Sequence, residues 1–232
     1  MLVFGHRGVK KTSPENTTTA IQDAIDQGAD GVEIDIQITK DGVPVVIHDT
    51  NLQRTHNIKQ KISNLSFYEL RSMTSDQPVQ SLSEVLDLYW GKIYINIEVK
   101  SKHTGRAVVS LLANDFIQTE SDWKHCFISS FKIRELLQAR QLSNKVQLAL
   151  IHRRVPFTYF WYQRMLKVVA VGVHKQWTHP IANLVASRIG IFTYVYTVNR
   201  PKAIKIAITQ GFDGIITDYP KNTIKVIGEV EK

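Results

Sequence analysis

Across residues 31–49, apolar and polar positions alternate, the chain turns, and a second apolar run follows. Ile34, Ile36 and Ile38 interleave with Glu33, Asp35 and Gln37, the period of two that marks a strand. Lys40-Asp41-Gly42 is turn chemistry, and Pro44-Val-Val-Ile47 is a second strand-like run. So short a connection cannot make a parallel crossover, so the second arm runs antiparallel to the first. With the turn centred on Asp41-Gly42, Asp35 falls opposite His48. One face of the first arm carries two carboxylates among Val and Ile, and carboxylates are seldom buried unless paired or bound to metal.

The rest of the chain alternates strands with helices. A short strand over 2–4 ends at Gly5-His6-Arg7-Gly8. Ser13-Pro14-Glu15 reads as a helix start, with Ser13 as N-cap, and the helix runs to about residue 27 before Gly28. Residues 50–80 are polar and irregular, with a short helix near 66–73. Ser81 and Glu84 have the spacing of a capping box and open a helix to about residue 90. A strand is predicted over 93–100, with Asn96, Glu98 and Lys100 on one face. Beyond it, helices near 105–116, 132–140, 159–167, 180–188 and 201–210 separate strands over 126–130, 146–151, 168–173, 191–198 and 214–217. A last helix starts at Pro220.

Counting parallel strands gives eight, starting near residues 2, 31, 93, 126, 146, 168, 191 and 214. Strands alternating with helices imply a parallel sheet, and eight such units close into a TIM (β/α)8 barrel. The β-hairpin arm at 44–47 is extra, and 50–80 is a small insertion after it. No low-complexity linker divides the 232 residues, so one domain over 1–232 is expected. An open doubly wound sheet is the alternative, but its Gly-rich fingerprint does not occur at the first strand–helix turn.

Composition narrows the picture. A net charge of +8 suits a solvated basic surface, anionic substrates, a membrane surface or nucleic acid. The basic residues are spread widely and no nucleic-acid-binding signature occurs, so nucleic acid is not an expected partner. The single cysteine, Cys126, excludes an internal disulfide and sits in an apolar run, so it reads as core. No leader pattern opens the chain and no apolar run reaches the ~18 residues of a membrane span, so a cytoplasmic protein is expected.

In a barrel, strand ends feed the C-terminal mouth, where active sites sit. His6 and Arg7 end the first strand, Glu33 and Asp35 lie on the second, Glu98 and Lys100 end the third parallel strand, and the hairpin returns His48. Three carboxylates at one mouth would repel one another. Either a divalent cation resolves this, for which oxygen ligands favour Mg2+, Ca2+ or Mn2+, or each carboxylate pairs with Arg7 or Lys100. Of eight histidines, His6 and His48 alone stand at strand ends beside carboxylates, which makes them the candidate acid and base; His174 could also reach the mouth. Arg7 and Lys100 supply fixed positive charge for an anionic group. Together these side chains point to phosphoryl transfer.

The motifs His6-Arg7-Gly8, Pro14-Glu15-Asn16-Thr17, Glu33-Ile-Asp35, Asp41-Gly42, His48-Asp49 and Glu98-Val-Lys100 closely resemble, in order and spacing, those of the glycerophosphodiester phosphodiesterases. Thr197-Val-Asn199 and Asp213-Gly-Ile-Ile-Thr-Asp218-Tyr-Pro220 are similar to the family's late signatures, so the resemblance spans nearly the whole chain. It implies a TIM barrel, Glu33, Asp35 and Glu98 as ligands of Ca2+ or Mg2+, and His6 and His48 as the acid/base pair. It also implies Arg7 and Lys100 on the phosphate, with Glu15 and Asn16 organising the loop after the first strand. The implied substrate is a small glycerophosphodiester, hydrolysed to sn-glycerol 3-phosphate and an alcohol. The family usually has Trp where this chain has Tyr196; Tyr keeps an aromatic wall for the substrate and adds a hydroxyl. Residues 153–164 mix aromatic and basic side chains as interfacial segments do, although an ordinary barrel helix is favoured over membrane contact. The alternatives are a lysophospholipase D using the same chemistry and a non-catalytic phosphoester-binding barrel. No expected acid, base or ligand is missing for catalysis.

Overall fold

The structure is a computed structural model that describes residues 1–152, 162–163 and 165–230. Nine strands form one sheet: β1 (Leu2–His6), β2 (Gly31–Ile38), β3 (Pro44–Val46), β4 (Tyr94–Val99), β5 (Cys126–Ser130), β6 (Leu148–His152), β7 (Ala170–His174), β8 (Phe192–Tyr196) and β9 (Gly214–Thr217). All pair in parallel except β3, and β1 pairs with both β2 and β9, so the eight parallel strands close on themselves as a TIM barrel. Helices α1 (Thr18–Asp26), α2 (Gln53–His56), α3 (Phe67–Met73), α4 (Leu82–Tyr89), α5 (Thr104–Leu111), α6 (Ile133–Leu142), α7 (Pro180–Arg188), α8 (Pro201–Thr209) and α9 (Pro220–Val230) connect them among the described residues. The aromatic helix predicted over 159–167 and the mixed stretch 153–164 fall largely outside the described residues.

Two cores follow from the strand period. Outward residues such as Val32, Ile34, Ile36, Ile95 and Ile97 pack under the helices. Inward residues Phe4, Ala149, Ala170, Tyr194 and Ile216 fill the barrel. That interior alternates bulk with vacancy: a Cβ on Gly172 would come within 2.6 Å of the Tyr194 ring, which is itself buried. A third, smaller cluster of Val45, Ile47, Leu52, Ile62, Leu65, Leu70 and Val79 anchors the 50–80 segment on the hairpin arm. The expected capping box of Ser81 with Glu84 forms, and Ser66 makes a further one with Glu69. Cys126 is buried, and burial pushes its thiol up to about 12, as suits a core side chain.

Two local expectations are corrected. The hairpin register pairs Ile36 with Val46 and Ile38 with Pro44, and the Ile47 N–H donates to the Asp35 carbonyl at 2.9 Å. Asp35 therefore lies opposite Ile47, not His48. The cause is a three-residue loop, Lys40 to Gly42, closed by Thr39 and Val43, with Gly42 left-handed at φ +85°. The first helix does not start at Ser13. Its N-cap is Thr17, whose hydroxyl accepts from the Ala20 N–H at 3.2 Å. Asn16 has φ +59° and cannot continue a helix, which leaves Glu15 and Asn16 in a loop turned toward the barrel mouth.

Candidate active site

The period of two that sends Ile34 and Ile36 outward sends Glu33 and Asp35 inward. Parallel register sets Asp35 beside Glu98 on β4 and Glu33 beside His6 on β1. β1 pairs only with the first part of β2, at Gly31 to Glu33, and β3 pairs with its end, at Ile36 to Ile38. The arm that carries His48 thus takes over the edge of β2 where β1 stops. His6, Arg7, Asp35, His48, Glu98, Lys100 and Tyr196 line one cavity of about 410 Å³ at the C-terminal mouth. Glu33 lies behind them, buried. All eight residues singled out from the sequence are brought together, and His174 joins them in the lining. Phe131, Trp177 and Tyr196 give the cavity an aromatic side.

Glu33, Asp35 and Glu98 each place a carboxylate oxygen within 4.8 Å of the others. Two cations do not balance three carboxylates. Lys100 Nζ lies 2.9 Å from Asp35 Oδ1 and also bonds Glu98, while Arg7 Nε lies 3.1 Å from Asp35 Oδ2. Asn16 completes the shell of Asp35, donating from Nδ2 to Oδ2 at 3.0 Å and accepting its N–H at 3.0 Å. Burial raises the Asp35 pKa, but Lys100, Arg7 and His48 outweigh it and hold the carboxyl well below the usual range. Among the described residues Glu33 receives one bond, from the Arg7 N–H at 3.1 Å, and its buried Oε1 has no hydrogen-bond partner. Burial and the neighbouring Asp35 and Glu98 push Glu33 well above its ordinary value, and burial and Asp35 raise Glu98. The pairing alternative thus accounts for Asp35 and Glu98 and leaves Glu33 uncompensated. An all-oxygen donor set with one orphaned acceptor fits a hard divalent cation.

Each histidine is backed by an aspartate. His6 Nδ1 lies 2.7 Å from Asp218 Oδ1, and His48 Nδ1 lies 2.6 Å from Asp49 Oδ1. An ionised carboxylate only accepts, so each ring donates Nδ1–H and, when neutral, carries its lone pair on Nε2. Burial lowers the His6 pKa; the Asp218 bond opposes this, and Lys10 and Arg7 add to it. Asp218 is itself held by the Asn199 amide, which donates to Oδ2 at 2.7 Å, and by Lys10 Nζ at 3.2 Å from Oδ1. Asp49, Asp218 and Asn199 were visible in the sequence only as members of motifs. Asp49 is placed by its neighbour His48, and Asp218 with Asn199 by closure of the barrel, which sets the end of β9 beside β1.

The family model for the glycerophosphoryl diester phosphodiesterase family matches residues 6–222. The chain belongs to that family. Among curated relatives, glycerophosphodiester phosphodiesterases of Caldanaerobacter subterraneus and Bacillus altitudinis are 30% and 31% identical to it, covering 97% and 99% of this chain and the same shares of their own length. A solved glycerophosphodiester phosphodiesterase from Thermotoga maritima has a TM-score of 0.82 at 26% identity, over 97% of this chain and 98% of that one. A phosphodiesterase from Oleispira antarctica, solved in complex with the product sn-glycerol-3-phosphate, has a TM-score of 0.86 at 24% identity, over 98% and 97%; this likeness shows the shared fold. Among the described residues no helix is long and apolar enough to cross a membrane.

Proposed function

We propose that this family member hydrolyses glycerophosphodiesters to sn-glycerol 3-phosphate and an alcohol, as a single catalytic domain. Convergence of three buried carboxylates, two aspartate-backed histidines, Arg7 and Lys100 on one cavity carries the proposal. Glu33, Asp35 and Glu98 would hold Ca2+ or Mg2+. That ion, when bound, offsets the carboxylate charge and polarises a phosphoryl oxygen. Arg7 and Lys100 bind the anionic diester and fix its orientation. His6 is the better base, because its lowered pKa leaves Nε2 unprotonated near neutrality. It takes the proton of the attacking hydroxyl, whether from water or from the substrate's own glyceryl group. His48, oriented by Asp49, donates a proton to the departing alcohol oxygen. Tyr196 walls the substrate on the aromatic side, and its hydroxyl is tied to the His152 carbonyl at 3.1 Å.

That aromatic side, with Trp177 exposed at the rim, supports a second reading in which a lysophospholipid is cleaved by the same groups. Incubation with glycerophosphocholine and, separately, lysophosphatidylcholine tests both. Release of sn-glycerol 3-phosphate and choline from the first supports the main reading. Turnover of the second alone replaces it with the lysophospholipid reading, and turnover of neither refutes both.

A further inference from the structure

One side chain outside the cavity touches the partners of two groups within it. Arg54 lies on α2, in the polar segment after the hairpin. Its Nε donates to Asp49 Oδ2 at 2.6 Å, and the other oxygen of that carboxylate takes the His48 ring. Its Nη1 donates to Glu15 Oε2 at 3.1 Å, and its Nη2 bonds Glu15 Oε1. The same Oε1 accepts from Arg7 Nη1 at 2.9 Å. A continuous line therefore runs from His48 through Asp49, Arg54, Glu15 and Arg7 to Asp35, and in it Arg54 joins the segment after the hairpin to the loop after β1. As an exposed ion pair it would contribute little to stability, about 0–1 kcal/mol. Its geometry is more specific than that: three guanidinium nitrogens engage two carboxylates in a planar fork, which a lysine ammonium cannot reproduce.

We propose that Arg54 is a positioning residue for the hydrolysis. It holds the Asp49 carboxylate square to His48 and, through Glu15, restrains Arg7, whose backbone is left-handed at φ +57°. The inference rests on the reading of the site given above. Removing the guanidinium frees both carboxylates at once, so it misorients the acid and loosens the phosphate clamp. Loss of outer-shell partners of metal ligands typically changes activity about 10–100-fold, and an effect of the same order is expected here.

The test uses the full chain with glycerophosphocholine. Arg54→Ala and Arg54→Gln are each expected to lower kcat about tenfold and to raise KM several-fold, with the circular dichroism spectrum and melting midpoint nearly unchanged. Arg54→Lys recovers only part of the loss. Added methylguanidinium restores turnover to Arg54→Ala, whereas methylammonium at equal ionic strength does not. In a double-mutant cycle, Arg54→Ala lowers kcat far less when Asp49→Asn is already present. Wild-type kcat and KM in both variants would overturn the proposal. So would a loss of activity that follows the unfolded fraction and that methylguanidinium does not restore. A wild type inactive on every diester refutes the functional reading instead, so the two failures are distinct.

Discussion

Replacing Glu33 by Gln should make the metal-free protein more stable while removing its function. Glu33 is 3% exposed, its Oε1 has no hydrogen-bond partner among the described residues, and Asp35 and Glu98 crowd it. Glutamine keeps an oxygen to accept the Arg7 N–H and sets an amide, a donor, where the orphaned oxygen stood. A buried unsatisfied polar group costs about 1–3 kcal/mol. In a chain of this size each kcal/mol moves the melting midpoint about 2–4 °C. Measured by scanning calorimetry in excess chelator, Glu33→Gln should therefore melt about 2–12 °C above the wild type. The cation narrows or reverses that difference. A ligand at one hundred times its dissociation constant adds about 2.7 kcal/mol, so Ca2+ or Mg2+ should raise the wild type by about 5–11 °C. The variant should not move. A variant that melts below the wild type in chelator, or that keeps the full rise with the cation, would refute the assignment of Glu33 as an uncompensated ligand.

Other outcomes follow from the same geometry. His6→Ala and His48→Ala should each lose about 100-fold or more in kcat with native circular dichroism spectra; near-wild-type turnover in either removes that residue from proton transfer. His152 is buried, neither ring nitrogen has a hydrogen-bond partner among the described residues, and burial lowers its pKa to about 4. The folded state then binds fewer protons than the unfolded one, so this group's contribution is full above about pH 6.5 and shrinks toward pH 4, by about 3 kcal/mol. Urea midpoints at pH 7.5 and 5 should accordingly drop more in the wild type than in His152→Leu; equal drops would contradict this. Gly172→Ala presses a methyl into the buried Tyr194 ring and should cost about 1–3 kcal/mol in urea unfolding, whereas an unchanged midpoint would mean that the barrel interior is looser than the packing indicates.

What was legible in the chain was whatever repeats locally. Period-two runs marked β2 and β4, and the capping box at Ser81 marked α4, because each is written within a few neighbours. The inward face holding Glu33, Asp35 and Glu98 followed from the same period once eight βα units implied closure. The hairpin register did not follow. A left-handed Gly42 adds a third loop residue, and one residue of loop length moves Asp35 from His48 to Ile47. Ser13 and Pro14 have the form of a helix start, but Asn16 instead bonds Asp35 on the neighbouring strand, an attraction with no local mark. The same holds for Asp218, which meets His6 from the far end of the chain, and for Arg54, whose carboxylates come from two different loops. Pairings of that range exist only after the sheet closes.

Turnover of glycerophosphocholine by protein dialysed against EDTA, before and after Ca2+ or Mg2+ is restored, tests the central claim most directly. The three-carboxylate site predicts no sn-glycerol 3-phosphate from the chelated protein and recovery on adding one of the two ions. Full turnover in excess chelator would contradict it.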